Sequence, residues 1–167
     1  MIAKLRHLSH AGRVRRNHAL EHATITVVSE VRPSVNLRGR SNRKGFYING
    51  EIDTATLHAS IEEAARRLRR GEKELALHPR CGTNLAVAGL LSGLAAALAS
   101  QLKPRQSRYS YAVLAAIGAL MVAPPLGENA QRYLTTEADL GDLQVVGVER
   151  RRFLGETVHW VSTRSSE

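Results

Sequence analysis

Two apolar runs separated by a short basic stretch constrain this chain more than any other feature. Leu85 to Leu102 is apolar apart from Ser92, Ser100 and Gln101, and Tyr109 to Leu126 carries no ionisable side chain other than tyrosine. As a helix, a run of about eighteen residues reaches about 27 Å, the lower edge of what spans a bilayer's hydrocarbon core. The residues between the runs, Lys103-Pro104-Arg105-Gln106-Ser107-Arg108, are too polar to stay in lipid. The pattern predicts a transmembrane helical hairpin over Asn84–Gly127. The competing reading is a buried hairpin in a soluble protein. It asks the little over a hundred residues that remain to cover two wholly apolar helices, which a core of that size cannot do. Gly89 and Gly93 form a GxxxG step near Ala86, Ala97 and Ser100. That step predicts close packing on the partner helix and offers a surface for a homo-oligomer or a membrane-protein partner.

The flanking segments support only one small core. Scarce aromatics with abundant alanine and leucine favour helix over an all-β design. The formal charge is +9, and sixteen of the twenty-four Lys and Arg precede Asn84. Such a bias suits an anionic bilayer surface and places both termini of a multi-pass cell-membrane protein in the cytoplasm, although Lys103, Arg105 and Arg108 pull the other way. The amino-terminal positive charge is not followed by an apolar stretch, so no cleaved export signal is expected. A single cysteine, Cys81, excludes an internal disulfide.

Residues 1–16, with His7 and His10, read as a basic arm. A helix is predicted from Asn17, as cap, to Val31, with Leu20, Ala23, Val27 and Val31 recurring at helical steps and Pro33 ending it. Strands around 35–40 and 45–52, separated by Ser41-Asn42-Arg43-Lys44, make a hairpin. Asp53 or Thr54 caps a second helix, 56–70, whose Leu57, Ile61, Ala64, Ala65 and Leu68 face a core opposite Arg66, Arg67, Arg69 and Arg70, and Gly71 stops it. Beyond Pro124-Pro125 a short amphipathic helix is expected around 128–134, then strands 143–150 and 156–163 with Gly155 at the turn. The predicted class is α+β: a small discontinuous α/β domain, 17–83 with 128–167, into which the transmembrane hairpin 84–127 is inserted.

The sharpest chemical signal is His18-Ala19-Leu20-Glu21-His22, an H-x-x-E-H on a predicted helix. Histidines four apart project from one face and can chelate Zn²⁺, and a nearby carboxylate such as Glu21 can take a proton from bound water. The bland alternative is a hydrogen-bonded pair of helix histidines. A second cluster, His78-Pro79-Arg80-Cys81-Gly82-Thr83-Asn84, precedes the first apolar run, and His78 and Cys81 both suit a borderline-soft metal. Here the alternative is that Thr83 or Asn84 caps the helix and Cys81 is simply buried. Together His18, His22, His78 and Cys81 would close a tetrahedral structural site, whereas three of them plus water would make a catalytic one. His58 is expected in solvent, and His159 is expected at the surface, opposite Val158 and Trp160. No phosphate-loop, dinucleotide or nucleophile-elbow pattern is present.

Three stretches resemble one family. Arg16 to Ile25 (RNHALEHATI), Gly39-Arg40-Ser41 with Gly45-Phe46, and His78 to Asn84 (HPRCGTN) are together similar to an uncharacterised bacterial membrane-protein family, the domain-of-unknown-function family 6391, over most of the chain. The resemblance implies a small bacterial membrane protein and supplies no catalytic residues. Likeness to the inverted zinc peptidases is confined to His18, Glu21 and His22. Those enzymes use a further glutamate, for which Glu62, Glu63, Glu72 and Glu74 are all candidates, and their much larger fold does not fit here. The leading expectation is a membrane protein with a His/Cys transition-metal site in a structural or partner-binding role. The alternative is a membrane-anchored, peptidase-like zinc hydrolase with Glu21 as general base. A second alternative is a basic nucleic-acid-binding protein, which ranks last because no stacking or groove-reading element accompanies the basic charge.

Overall fold

The computed structural model of the protein describes residues 10–102, 105–153 and 155–166. The arm up to residue 9, including His7, and Lys103-Pro104 of the predicted turn lie outside the described residues. The chain forms two compact units, Met1–His78 with Thr135–Glu167, and Pro79–Leu134.

The first unit is α+β. Helices α1 (His10–Val31) and α2 (Thr54–Arg69) cover one face of an antiparallel sheet whose strands are β1 (Arg38–Asn42), β2 (Gly45–Asn49), β3 (Gln144–Phe153) and β4 (Glu156–Arg164), in the order β1-β2-β4-β3. A 3-10 turn, Lys73–Ala76, packs against α1. The core is built from Phe46, Ile48 and Val161 of the sheet, Leu20, Ala23 and Val28 of α1, and Leu57, Ile61 and Ala64 of α2. Burying each larger member stabilises the fold by about 1.5–3 kcal/mol. The α2 stripe lies where the periodicity puts it, the Asp53 carboxylate accepts from the Thr56 amide at 2.7 Å, and Gly71, at φ 95°, follows the helix end.

Several boundaries move. Helix α1 begins at His10, inside the stretch read as an arm, and Asn17 is an interior helix residue rather than its cap. The Asn17 side-chain amide donates to the Asn42 carbonyl at 2.8 Å and accepts from the Thr163 hydroxyl at 2.8 Å, so tertiary contacts to β1 and β4 occupy it. Val31 is exposed rather than part of the buried stripe. Strand β1 runs two residues further than expected, leaving only Arg43-Lys44 as the turn.

His159 is not at the surface. Strand alternation does place it opposite Trp160, but the face covered by the helices is the one carrying His159 and Val161, both fully buried. Its register partner is the core residue Ile48, and its Nε2 lies 3.1 Å from the Thr54 hydroxyl. Burial, reinforced by Arg150 and opposed by Asp53 and Glu51, pushes the imidazole below its ordinary value. With the folded value depressed, the unfolded chain takes up the proton first. Stability is therefore full above about pH 6.5 and falls as the pH drops from there towards the folded value. His159→Gln should flatten that part of the profile relative to the parent chain when denaturant midpoints are compared between pH 7.5 and 5. Identical slopes would remove His159 as a source of the pH dependence.

The second unit is a pair of helices, α3 (Gly82–Leu102) and α4 (Arg108–Ala130), packed on each other. Both are long and apolar enough to cross a membrane. Gly89 and Gly93 do not make the expected contact with α4: a Cβ at either would meet nothing within 4 Å. Half-buried Ala88, Leu91, Ser92 and Ala95 instead form a neighbouring stripe, and the Ser92 hydroxyl donates to the Ala116 carbonyl at 3.4 Å. The prolines do not end α4 either. It runs through Pro124 and Pro125 to Ala130 and continues as one π turn, Gln131–Thr135, in place of the separate amphipathic helix. A proline interrupts helical bonding only at the carbonyl four residues back, and such positions are tolerated best in membrane helices.

Candidate metal centre

Helix α1 is unusual in what it buries. Arg16, Asn17, Glu21, His22 and Thr24 are all at most 4% exposed. Leaving such groups unpaired would cost about 1–3 kcal/mol each, so their partners define what the helix does. Arg16 is held by the Leu140 carbonyl at 3.4 Å and Asp142 at 3.3 Å. Ser165 and the Ser166 hydroxyl and amide also donate to Asp142, which holds its carboxyl well below the usual range.

The two motif histidines share one face of α1, with ring centroids 4.2 Å apart. The His78 ring stands 5.7 Å from that of His22, so three of the sequence-predicted ligands converge within the first unit. His22 Nδ1 lies 2.8 Å from the Ala76 carbonyl, and His18 Nδ1 lies 3.0 Å from the Thr135 carbonyl. A carbonyl only accepts, so each Nδ1 carries the proton and donates. In the neutral ring the lone pair then sits on Nε2. Metal-binding histidines are oriented in this way, with the second nitrogen fixed by a backbone acceptor. His18 and His22 offer ligand atoms to a group that could hold a metal ion, and Cys81, at the start of the second unit, is buried three residues beyond His78.

Glu21 behaves differently. It is 4% exposed, the Ser41 hydroxyl of β1 donates to its carboxylate, and a Cβ at Gly39 would overlap its side chain. The carboxylate is thus seated on β1, in the space Gly39 leaves. His58 is exposed, near Glu62 at 3.7 Å, and His159 lies across the core with Thr54. Sequence reasoning missed Ser41 as the partner of Glu21, and it missed the carbonyls of Ala76 and Thr135. Only the Gly39-Arg40-Ser41 stretch carried a trace of the first, and backbone acceptors leave no sequence signal.

The model of the family described as "Domain of unknown function (DUF6391)" matches residues 13–148. The chain belongs to this family. An uncharacterized protein of Picosynechococcus sp. (strain ATCC 27264 / PCC 7002 / PR-6) is 38% identical over 138 residues, which cover 76% of this chain and 67% of that protein. No solved structure matches. The DUF6391 match takes in His18, Glu21, His22, Gly39, Ser41, His78 and Cys81, so both candidate ligand clusters and the seat of Glu21 lie inside the family domain.

Proposed function

We propose that this DUF6391 protein is an integral membrane protein whose first unit carries a transition-metal site, zinc by donor type, bound by His18 and His22 with His78 beside them, and that Cys81, three residues on from His78, is the thiolate the sequence motif offers to it. The observation that carries this reading is the pair of Nδ1–H donations to backbone carbonyls, which aims two imidazoles four residues apart as Nε2 ligands. His78 lies at the same histidine cluster, and chain connectivity keeps Cys81 within about 10 Å of it. Imidazole nitrogens with a thiolate suit Zn²⁺, and a full set that includes cysteine favours a closed, structural site.

The role we assign is assembly with a partner rather than hydrolysis, because a ligand set that includes a cysteine suits a closed site with no open position for water. Elemental analysis of full-length protein purified in detergent without chelator should find about one zinc per chain, and metal-free folded protein would end this reading. Glu21→Gln should keep the metal. If the metal-loaded protein cleaves an unstructured polypeptide such as casein and Glu21→Gln abolishes cleavage, the hydrolase alternative replaces the structural one.

Membrane insertion of α3 and α4, with both termini cytoplasmic, has its own test. The protein should stay in the pellet under alkaline carbonate, and its release would contradict integral insertion. The exposed Gly89 and Gly93 are the surface we assign to a second copy or another membrane protein. Gly89→Ile should then shift the detergent-solubilised assembly to lower mass. An unchanged mass would remove that contact.

A further inference from the structure

Helices α1 and α2 cover one face of the sheet, and strand pairing fixes what the other face presents. Across its middle, Arg40, Tyr47, Trp160 and Glu149 stand side by side on β1, β2, β4 and β3. The next row on the same face is Arg38, Asn49, Val158 and Arg151, and Phe153, two residues beyond Arg151, shares that face. Arg150 and Arg152 alternate with them, opposite His159 and Thr157, and belong to the helix-covered side. The Tyr47 and Trp160 rings lie 4.5 Å apart at 40°, and Phe153 is 68% exposed. Glu149 pairs with Arg151 at 2.7 Å, and the face's other carboxylate, Glu156, stands opposite Phe153 at the β3–β4 turn. Arg38 and Arg40 are exposed, and among the described residues no ion pair engages either. An aromatic centre is thus bordered by two uncompensated cations on the edge strand β1.

We propose that this open face docks on an anionic phospholipid surface, with Arg38 and Arg40 against lipid phosphates and Tyr47, Trp160 and Phe153 at the level of the headgroups. Charge complementarity supplies the first half of the argument, since arginines close to an anionic leaflet are drawn to it. The rings supply the second. Tryptophan and tyrosine have an apolar body and one polar group, and they collect where a bilayer meets water. The inference rests on the membrane reading of α3 and α4. On that reading the first unit is joined to both ends of the membrane hairpin without a linker, at His78–Pro79 and Leu134–Thr135, so headgroups are the one ligand always at hand.

The test reconstitutes full-length protein into phosphatidylcholine liposomes that carry a nitroxide quencher on some headgroups, with or without phosphatidylglycerol. Trp160 is the only tryptophan, so its emission reads contact at the centre of the face. Quenching should be strong with phosphatidylglycerol and weak without it, and high salt should relieve it. Arg38→Gln and Arg40→Gln should each lower the docked-to-free ratio about fivefold, and together about twenty-five-fold, with an unaltered melting temperature. Arg66→Gln, on the exposed side of α2, should leave the ratio unchanged. Carbonate-resistant protein whose Trp160 stays unquenched with phosphatidylglycerol overturns the proposal and leaves the membrane reading intact. So does quenching that the β1 variants leave unchanged, or that Arg66→Gln reduces equally. An Arg40-dependent change in emission with decaglutamate or decauridylate, but none with phosphatidylglycerol, would assign the face to a protein or a nucleic acid and also overturn it. Release by carbonate would end the membrane reading instead. The same nitroxide vesicles added to the soluble protein then decide the docking, because neither the face nor its charges involve the hairpin.

Discussion

His22→Ala should yield protein without bound zinc whose unfolding midpoint no longer responds to chelator, whereas the parent chain should lose several kcal/mol of stability when EDTA is added. Two effects combine in this variant. Removing the ring deletes one metal ligand, and the loss of any one of three or four weakens a zinc site by orders of magnitude. It also leaves the Ala76 carbonyl without its buried donor, at a cost of about 1–3 kcal/mol. The metal contribution follows mass action: a ligand present at a hundred times its Kd stabilises the folded state by about 2.7 kcal/mol, and a tight structural site by more. Chelator separates the two effects, because only the metal part responds to EDTA. Protons compete for imidazole and thiolate, so zinc should be retained less well as the pH is lowered, and that loss should be absent in the variant. His58→Ala, at an exposed ring on α2, is the control and should change neither metal content nor midpoint. A parent protein that unfolds identically with and without EDTA would show that the histidines are a packed polar cluster and nothing more.

How much of this was legible in the chain depended on what kind of force sets each feature. The membrane-type helices and the α2 stripe depend on hydrophobic period and composition, which a linear pattern carries in full. Helix α1 does not, because it is buried on several sides and studded with polar groups, so no single apolar stripe marks its start. Its first turns are fastened by long-range bonds, Arg13 to the Ser165 carbonyl at 3.0 Å and Arg15 to the Thr136 carbonyl at 2.9 Å, from residues more than a hundred positions away. His159 was misplaced for a related reason. Alternation in β4 separates His159 from Trp160, but which face the helices cover depends on tertiary packing, and the covered face is that of His159 rather than that of the larger, more apolar Trp160. The convergence of His18, His22 and His78 was readable from two compact motifs. The seat of Glu21 was not, since it follows from the register that brings Gly39 and Ser41 of β1 against α1. That contact joins two separate stretches of the sequence: one contributes the carboxylate, the other the space and the hydroxyl that receive it.

Gly45, at the start of β2, carries the second large effect. Gly45→Ala should destabilise the first unit by about 3 kcal/mol, while Gly71→Ala should cost about 1 kcal/mol. Both glycines hold positive φ, 148° at Gly45 and 95° at Gly71, so both substitutions carry backbone strain. The difference lies in space. Nothing lies within 4 Å of a Cβ at Gly71, but one at Gly45 would overlap the Val161 carbonyl oxygen and come within 3.0–3.1 Å of the Val161 carbonyl carbon and Ser162 Cα. These are backbone atoms of the neighbouring strand, so no side chain can swing aside. Strand β2 would have to move away from β4 next to Phe46, which pairs with Val161 and is fully buried. A loss of about 3 kcal/mol in a unit of this size corresponds to a fall in melting temperature of about 10–20 °C, readily measured by circular dichroism. Because β1 hangs from β2, the displacement should also loosen the Ser41 contact to Glu21. The double variant Gly45→Ala with Ser41→Ala should therefore cost less than the sum of the two single changes. Equal costs at Gly45 and Gly71 would mean that β2 and β4 do not approach each other closely at Val161.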